Sequence, residues 1–234
     1  MTNGTIRILK PFVFAVGLLP LLVLLYRFNT SHLGADPVQF ITHFTGNWTI
    51  YLLLISLAVT PVRRLSAKLA WLVRFRRMLG LFAFFYATLH LLTYVLLFSG
   101  FDLVGALASI RAHDVAAVRQ QWLAVWPTMV DDVKKRSFIQ VGLASYVILL
   151  ALTLSSPQWV MRRMGGRPWQ ALHRLVYLAA ILGVVHYWWL VKKGVMAPLR
   201  DTVILAVLLL ARPAYRFIQK YKPVKSAKPT RAVV

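Results

Sequence analysis

The stretch Leu172–Val191, LHRLVYLAAILGVVHYWWLV, is almost wholly apolar and has about the twenty residues that a bilayer-spanning α-helix requires. It nevertheless carries two histidines, His173 and His186, and a third, His90, lies in the middle of a second such stretch, Leu79–Phe98. An imidazole in hydrocarbon is costly, so an intramembrane histidine is a candidate functional residue that needs a partner. The sequence therefore predicts a helical membrane protein built around three histidines.

The composition supports a membrane protein and excludes several kinds of site. Of the 234 residues 59% are hydrophobic and the mean hydropathy is +0.65, which is typical of a polytopic membrane protein. There are no cysteines. Their absence excludes disulfides, thiolate-ligated heme, iron–sulfur clusters and cysteine zinc sites.

Six apolar runs predict an all-α protein with six transmembrane helices. They are residues 11–26, 48–62, 79–98, 138–155, 172–191 and 202–218. The first two are short and must borrow flanking residues or thin the bilayer. The sixth has a short apolar core, Val203–Ala211, so Arg212 and Arg216 would have to reach the membrane interface. We expect one domain over residues 1–219 and a basic, disordered tail over 220–234. No cleavable signal peptide and no internal repeat are evident.

The charges predict the orientation. The net charge is +22, and six spans place both termini, with most of the 28 Lys and Arg residues, on one side. By the positive-inside rule this side is cytoplasmic. The basic residues lie between apolar spans and in the tail, so membrane lipids, and not nucleic acid, are the expected partner. All six acidic residues fall on the outer side, where they could form a partner-facing surface or simply solvate the loops.

The outer connection 100–137 is the longest loop. Asp114 could cap a helix in which Val115, Val118, Trp122 and Val125 share one face. We expect a short amphipathic helix on the outer leaflet; an insertion without a specific role is the alternative.

Depth along the spans decides which histidines pair. At a rise of ~1.5 Å per residue, His90 is roughly 16 Å above Leu79 and His186 roughly 21 Å above Leu172, whereas His173 is only about 2 Å above it. His90 and His186 can therefore clamp one heme between two helices. Two imidazoles fill both axial positions of the iron, which predicts one-electron transfer instead of oxygen activation. The alternative is a pair of packed, hydrogen-bonded histidines without metal.

His173 could ligate a second heme near the cytoplasmic face, but its counterpart is missing. The position 13 residues before His90, matching the spacing of His173 and His186, is Arg77. Arg76 and Arg77 could neutralise heme propionates or a flavin phosphate, or they could anchor the topology. The alternative for His173 is an interfacial histidine satisfied by water or phosphate.

Five segments of the sequence resemble the MsrQ (YedZ) family of heme-binding membrane subunits. They are LGADPVQFITHFTG at 33–46, RFRRMLGL at 74–81, ATLHLLTY at 87–94, WQALHRLVYLAAIL at 169–182 and VHYWWLVK at 185–192. The outer loop is longer than is usual in that family. The wider ferric-reductase group often has four heme histidines, and Arg77 stands where one would be expected.

The resemblance implies a six-helix ferric-reductase-like domain in the bacterial inner membrane. It also implies heme b on His90, His173 and His186. It implies electron delivery to a periplasmic molybdenum-cofactor methionine sulfoxide reductase, MsrP, which repairs oxidised periplasmic proteins. Family descriptions add FMN, with electrons from the quinone pool or a cytosolic flavin reductase. His43 and Asp36, in the first matching segment, are candidates for a quinone or partner site.

Two other functions remain compatible with the sequence. One is a free-standing transmembrane metal-ion or quinone reductase, which would need another donor because no G-x-G-x-x-G dinucleotide motif is present. The other is a heme-free proton-coupled transporter using intramembrane histidines. The spans contain no acidic residue and no paired inverted halves are evident, which disfavours a transporter.

Overall fold

The computed structural model describes residues 3–191, 194 and 196–221. Over these ranges the chain forms ten α-helices and no β-strand. The helices are α1 (Asn3–Asn29), α2 (Pro37–Leu65), α3 (Val73–Thr93), α4 (Leu103–Arg111), α5 (Val115–Lys135), α6 (Ser137–Leu154), α7 (Gln158–Met164), α8 (Gly166–His173), α9 (Val176–Leu190) and α10 (Ala197–Lys220). A 3-10 turn, Ala67–Leu72, leads into α3, and a π-helical turn, Tyr94–Phe98, continues it. The predicted tail, 220–234, lies outside the described residues after Tyr221.

Five helical stretches are long and apolar enough to cross a bilayer. They are Gly4–Asn29, Pro37–Leu65, Lys68–Phe98, Ser137–Leu154 and Gly166–Leu190. The first two are much longer than their apolar runs, as the sequence required. The predicted sixth span lies in α10, which has the length of a span but carries Arg200, Asp201 and three further basic residues and does not reach the same apolarity. The presence of α10 as a helix is observed; its crossing of the membrane stays a prediction.

Four of these helices form the core bundle. α2 packs against α3, α6 against α9, α3 against α6, and α2 against α9, so that α3 and α9 stand at opposite corners. α1 packs on α3, and α10 lies against α2 and α9. We call the end of the bundle at which α2 begins the acidic end, because the chain's six acidic residues lie there. The opposite end, where α2 finishes and α3 begins, is the basic end.

The outer connection forms a helical hairpin of α4 and α5. Asp114 caps α5 by accepting a hydrogen bond from the backbone N–H of Ala117 at 3.0 Å, which confirms the predicted cap. Trp122 on the inner face stacks on Phe101 with ring centres 4.6 Å apart. Val115 was predicted to share the face of α5 that includes Trp122, but it is 73% exposed. The packed face of α5 is therefore narrower than the spacing of apolar residues predicted. The contact of this hairpin with the outer leaflet remains a prediction.

The stretch Leu172–Val191 is not one continuous helix. Its first residues, Leu172 and His173, finish α8, and the chain turns at Arg174 and Leu175 before α9 begins. The backbone N–H of Leu175 bonds to the carbonyl of Leu172 at 3.0 Å, a tight turn typical of helix ends. His173 and His186 therefore lie on either side of a tightened turn within one helical stretch, Gly166–Leu190.

Candidate functional site

The imidazoles of His90 and His186 meet between the opposite corners of the bundle. His90 is in the last turn of α3 and His186 in the last turns of α9. Their ring centres are 6.0 Å apart and the ring planes are nearly perpendicular, at 83°. Both side chains are half-buried. The structure thus brings together the two histidines that the depth argument paired.

Each of the two imidazoles is fixed through its Nδ1 atom by a backbone carbonyl of a neighbouring helix. His90 Nδ1 lies 3.0 Å from the carbonyl oxygen of Thr42 on α2, and His186 Nδ1 lies 2.7 Å from that of Phe138 on α6. A carbonyl oxygen can only accept, so both Nδ1 atoms carry the proton and donate. The lone pair of a neutral imidazole is then on Nε2. Both rings are held in the tautomer that binds a metal through Nε2.

Two glycines make room for these rings. A Cβ at Gly46 would stand 3.2 Å from the His90 ring, and a Cβ at Gly142 would stand 2.7 Å from His186 Nδ1. Each glycine lies one helical turn after the carbonyl that accepts from its histidine. A side chain at Gly142 would therefore displace the ring or break its hydrogen bond.

The two halves of the site repeat one another. In each half the accepting carbonyl is 48 residues before the histidine, and the glycine follows that carbonyl by one turn. The pair α2–α3 is thus matched by the pair α6–α9. Residue identities in the sequence show no internal repeat. The structure nevertheless contains the same arrangement of acceptor, glycine and imidazole twice.

The two imidazoles are close enough to hold one metal ion between them, with ring centres 6.0 Å apart. His90 and His186 are the residues that would bind such an ion. The donor set is also suitable, because two neutral imidazoles are the ligands of low-spin b-type heme iron.

His173 lies in a different setting, near the basic end. Its Nε2 is 3.1 Å from the hydroxyl of Ser155, and its ring stacks on that of Trp169, with centres 4.0 Å apart. Trp169 in turn donates its indole N–H to the carbonyl of Ser155 at 2.9 Å. The structure does not bring His173 to the other two histidines. Its predicted opposite position, Arg77, is exposed.

Of the two candidate arginines, only Arg76 turns inward. It is half-buried, and its Nη1 atom lies 3.4 Å from the hydroxyl of Thr60 on α2. Arg77, by contrast, is exposed.

His43 and Asp36 lie at the acidic end and have separate settings. His43 is half-buried, directly follows the residue whose carbonyl holds His90, and is close enough to act on His90 electrostatically. Asp36 is exposed and accepts a hydrogen bond from the backbone N–H of Gln39 at 2.9 Å. Asp36 therefore caps α2, which accounts for an acidic residue at this position.

One acidic residue does not belong to the outer surface. Asp201 is 1% exposed, and its Oδ1 atom accepts from Arg200 Nε at 3.2 Å. The Oδ2 atom is buried and has no hydrogen-bond partner among the described residues. Arg200 also donates to the hydroxyl of Tyr51 on α2 at 2.6 Å. Neither of the two sequence interpretations, a partner-facing surface or solvation of a loop, fits Asp201.

Four residues of the site were not predicted from the sequence: Thr42, Gly46, Phe138 and Gly142. Thr42 and Phe138 act through backbone carbonyls, which any residue could supply. The two glycines could have been found by aligning the spans on their histidines, since each precedes its histidine by the same number of residues. Glycine is common in transmembrane helices, however, so its presence in an apolar span does not by itself indicate a ligand site.

Comparison with known proteins identifies the family of the chain. A family model described as ferric reductase like transmembrane component matches residues 45–184. The protein-methionine-sulfoxide reductase heme-binding subunit MsrQ of Herminiimonas arsenicoxydans is 41% identical over 219 residues, covering 93% of this chain and 89% of that protein. MsrQ of Ralstonia nicotianae is 42% identical over 185 residues, 79% and 74% of the two chains, and MsrQ of Bordetella pertussis is 40% identical over 211 residues, 89% and 90%.

The fold and the site define a multi-pass helical membrane protein with a bis-imidazole site inside its bundle. Sequence similarity over most of its length makes the family specific. The chain belongs to the MsrQ family of ferric reductase-like transmembrane proteins.

Proposed function

We propose that this protein is a heme b electron-transfer subunit that passes electrons across the bacterial inner membrane to a periplasmic, molybdenum-cofactor methionine sulfoxide reductase of the MsrP type. The observation that carries the proposal is the pair of Nδ1 hydrogen bonds, to Thr42 and Phe138, which leaves both Nε2 atoms free to bind iron. A heme held by His90 and His186 would supply one-electron transfer, since two histidine ligands would leave no site for oxygen.

The residues around the pair hold the two imidazoles in place. The carbonyls of Thr42 and Phe138 fix the ring orientations and keep both protons on Nδ1. Gly46 and Gly142 let the rings approach the neighbouring helices closely enough to make these bonds. The two imidazoles are thus held in fixed orientations and would bind a heme iron with little rearrangement of the protein.

The topology follows from the same bundle. We propose that α10 is the sixth span: with 24 residues it is about 36 Å long, enough to cross the hydrocarbon core. Six spans place both termini at the basic end, and the positive-inside rule makes that end cytoplasmic. The bis-imidazole site is then in the outer half of the membrane, at the acidic end, from which an electron can leave to a periplasmic partner.

The partner and the donor are inferred from the family. The printed name of the relatives makes them subunits of a protein-methionine-sulfoxide reductase, which supports a partner of that kind. His43, beside the carbonyl that holds His90, is the half-buried side chain that we assign to a quinone or partner contact. The quinone pool or a cytosolic flavin reductase would supply electrons. FMN, if bound, would meet Arg76 and Arg77 at the basic end.

His173 is the proposed additional heme ligand at the basic end. To bind iron through Nε2, His173 would first have to break its hydrogen bond with the hydroxyl of Ser155. Position 77 supplies no second imidazole, so the complete two-ligand site is the one of His90 and His186.

The proposal is tested by quantifying heme in the purified protein and its variants. Wild type should show a Soret band and a sharp α absorption band on reduction with dithionite. His90→Ala and His186→Ala should each lose most of the heme, and His113→Ala, which changes an exposed histidine of the outer hairpin, should keep it. Absence of heme from wild type would reject the proposal and favour a heme-free transporter; heme retained in both ligand variants would reject the pairing.

A second candidate, a free-standing metal-ion or quinone reductase, is supported by the match to the ferric reductase-like family model. The two functions differ in their electron acceptor. Chemically reduced protein should transfer electrons to purified MsrP-type reductase much faster than to iron chelates or quinone analogues. The opposite order would favour the free-standing reductase.

A further inference from the structure

A group of three arginines at the basic end has no anionic partner among the described residues. Arg63 and Arg64 lie in the last turn of α2, and Arg76 lies in the first turn of α3. The six acidic side chains of the protein are all at the opposite end of the bundle. No side-chain carboxylate is therefore available to neutralise this group, which we call the arginine cluster.

Two members of the arginine cluster are partly withdrawn from water. The Nη1 atom of Arg64 is buried and makes no hydrogen bond within the described ranges; the guanidinium lies over the ring of Tyr215 on α10 at 4.9 Å. Arg76 meets a single neutral hydroxyl, that of Thr60, at a long 3.4 Å. Arg63 is near enough to add positive charge at Arg76. Desolvated cations without counter-charge are unfavourable, so an external anion would stabilise this end of the protein.

We propose that the arginine cluster binds the phosphate of an anionic phospholipid in the leaflet at the basic end. A guanidinium presents paired N–H donors that match phosphate oxygens, and a partly desolvated guanidinium binds them more strongly. A lipid fits the position better than a soluble phosphate. Arg64 lies in the last turn of α2, at the end of a span, where it contacts Tyr215 of α10. Leu65 follows Arg64 and Phe217 lies two residues after Tyr215; they are 83% and 65% exposed, so this end offers apolar surface for acyl chains.

The lipid would stabilise the packing of α10, because the polar contacts of α10 with the bundle are stronger at the acidic end than at the basic end. At the acidic end, Trp188 donates its indole N–H to the hydroxyl of Thr202 at 2.8 Å, and Arg200 donates to Tyr51. At the basic end, the polar contact that the described residues show for α10 with the bundle is the one between Arg64 and Tyr215. A phosphate bound to Arg64 completes the attachment of α10 there. This inference does not depend on heme or on the electron acceptor. It shares Arg76 with the proposed FMN contact, so the test changes Arg64, which that contact does not include.

The test counts phospholipid on purified, heme-loaded, full-length protein. Detergent-washed wild type should retain about one phosphatidylglycerol per chain, and Arg64→Gln should retain about fivefold less, the loss expected for a charge-assisted guanidinium–phosphate contact. Arg162→Gln is the matched control, since it removes the same charge from an exposed position at the basic end. Adding phosphatidylglycerol, but not phosphatidylcholine, should raise the melting temperature of wild type and of Arg162→Gln, and not that of Arg64→Gln.

Equal lipid retention by the two glutamine variants would overturn the proposal. So would full stabilisation of wild type by inorganic phosphate alone, which would assign the cluster to a soluble phosphate compound. If Arg64→Gln does not accumulate, Arg64→Lys decides: it keeps the charge but not the paired donors, and should retain clearly less lipid than wild type. Unchanged retention in Arg64→Lys would then overturn the assignment.

Discussion

Gly142 lies directly against the imidazole of His186, so that a Cβ at position 142 would stand 2.7 Å from Nδ1. The ring cannot easily retreat, because Nδ1 is bonded to the carbonyl of Phe138, one turn before the glycine. The missing side chain at position 142 therefore lets the His186 ring keep its hydrogen bond to Phe138.

Gly142→Ala should weaken heme binding. The added methyl group must displace the His186 ring or break its hydrogen bond, and loss of such a supporting contact weakens metal binding by about tenfold or more. Gly46→Ala should be milder, since the corresponding approach to His90 is 3.2 Å. Gly166→Ala, with nothing within 4 Å, is the control. Heme per chain, measured with helix content by circular dichroism, separates heme loss from unfolding. Equal heme in the Gly142 and Gly166 variants would contradict the steric argument.

The two histidines could be predicted from the sequence, whereas the backbone carbonyls that hold them could not. The structure places the rings of His90 and His186 6.0 Å apart, as their depths along the spans predicted; their pairing on one heme stays a prediction. Their acceptors were not found because a carbonyl leaves no mark in the sequence. The turn between α8 and α9 was not predicted, because neither Arg174 nor Leu175 is a residue type that usually interrupts a helix. Asp201 was placed on the surface because burial depends on how α10 packs on α2 and α9, which periodicity does not specify.

His43→Ala should slow electron transfer to the partner while leaving the heme spectrum unchanged. His43 directly follows Thr42, yet it is the Thr42 carbonyl and not the His43 side chain that holds His90. Loss of the side chain should thus spare the ligand geometry and remove a half-buried polar group at the acidic end. Turnover coupled to MsrP-type reductase is the measurement, with His32→Ala, an exposed histidine of the same end, as the control. Unchanged turnover would leave His43 with a structural role in α2.

His173→Ala should preserve the bis-imidazole absorption bands. His173 is at the basic end, and its Nε2 is engaged with Ser155, whereas the paired site is at the acidic end. Heme per chain in this variant should decrease only by the heme that His173 binds, and the heme at the His90–His186 site should remain. Loss of the α absorption band together with all heme would show that the two regions are not independent. Ser155→Ala provides the comparison, since it frees Nε2 without removing the imidazole.

Tyr86→Phe should destabilise the protein with little effect on heme. The fully buried Tyr86 donates its hydroxyl to the carbonyl of Gly17 at 2.8 Å and accepts from the N–H of Leu21 at 3.1 Å, so α3 is bonded into the backbone of α1. Loss of the hydroxyl should cost about 1 kcal/mol, because the two freed backbone groups can bond to each other in part. Thermal unfolding measures the change, and Tyr26→Phe, 70% exposed, should melt like wild type. A melting temperature equal to that of Tyr26→Phe would contradict this role.

The proposed topology predicts which sites an impermeant thiol reagent can reach. The chain has no cysteine, so single cysteines can be introduced without a background. Ala112→Cys, exposed in the outer hairpin, should react in intact spheroplasts, whereas Lys68→Cys, exposed at the basic end, should react only after permeabilisation. Ser226→Cys, in the tail beyond the described residues, tests α10. With six spans, Ser226→Cys should be protected in the same way as Lys68→Cys, because an even number of crossings returns the chain to the cytoplasm. Labelling of Ser226→Cys from outside would mean that α10 does not cross the membrane. Five spans would then place the tail in the periplasm.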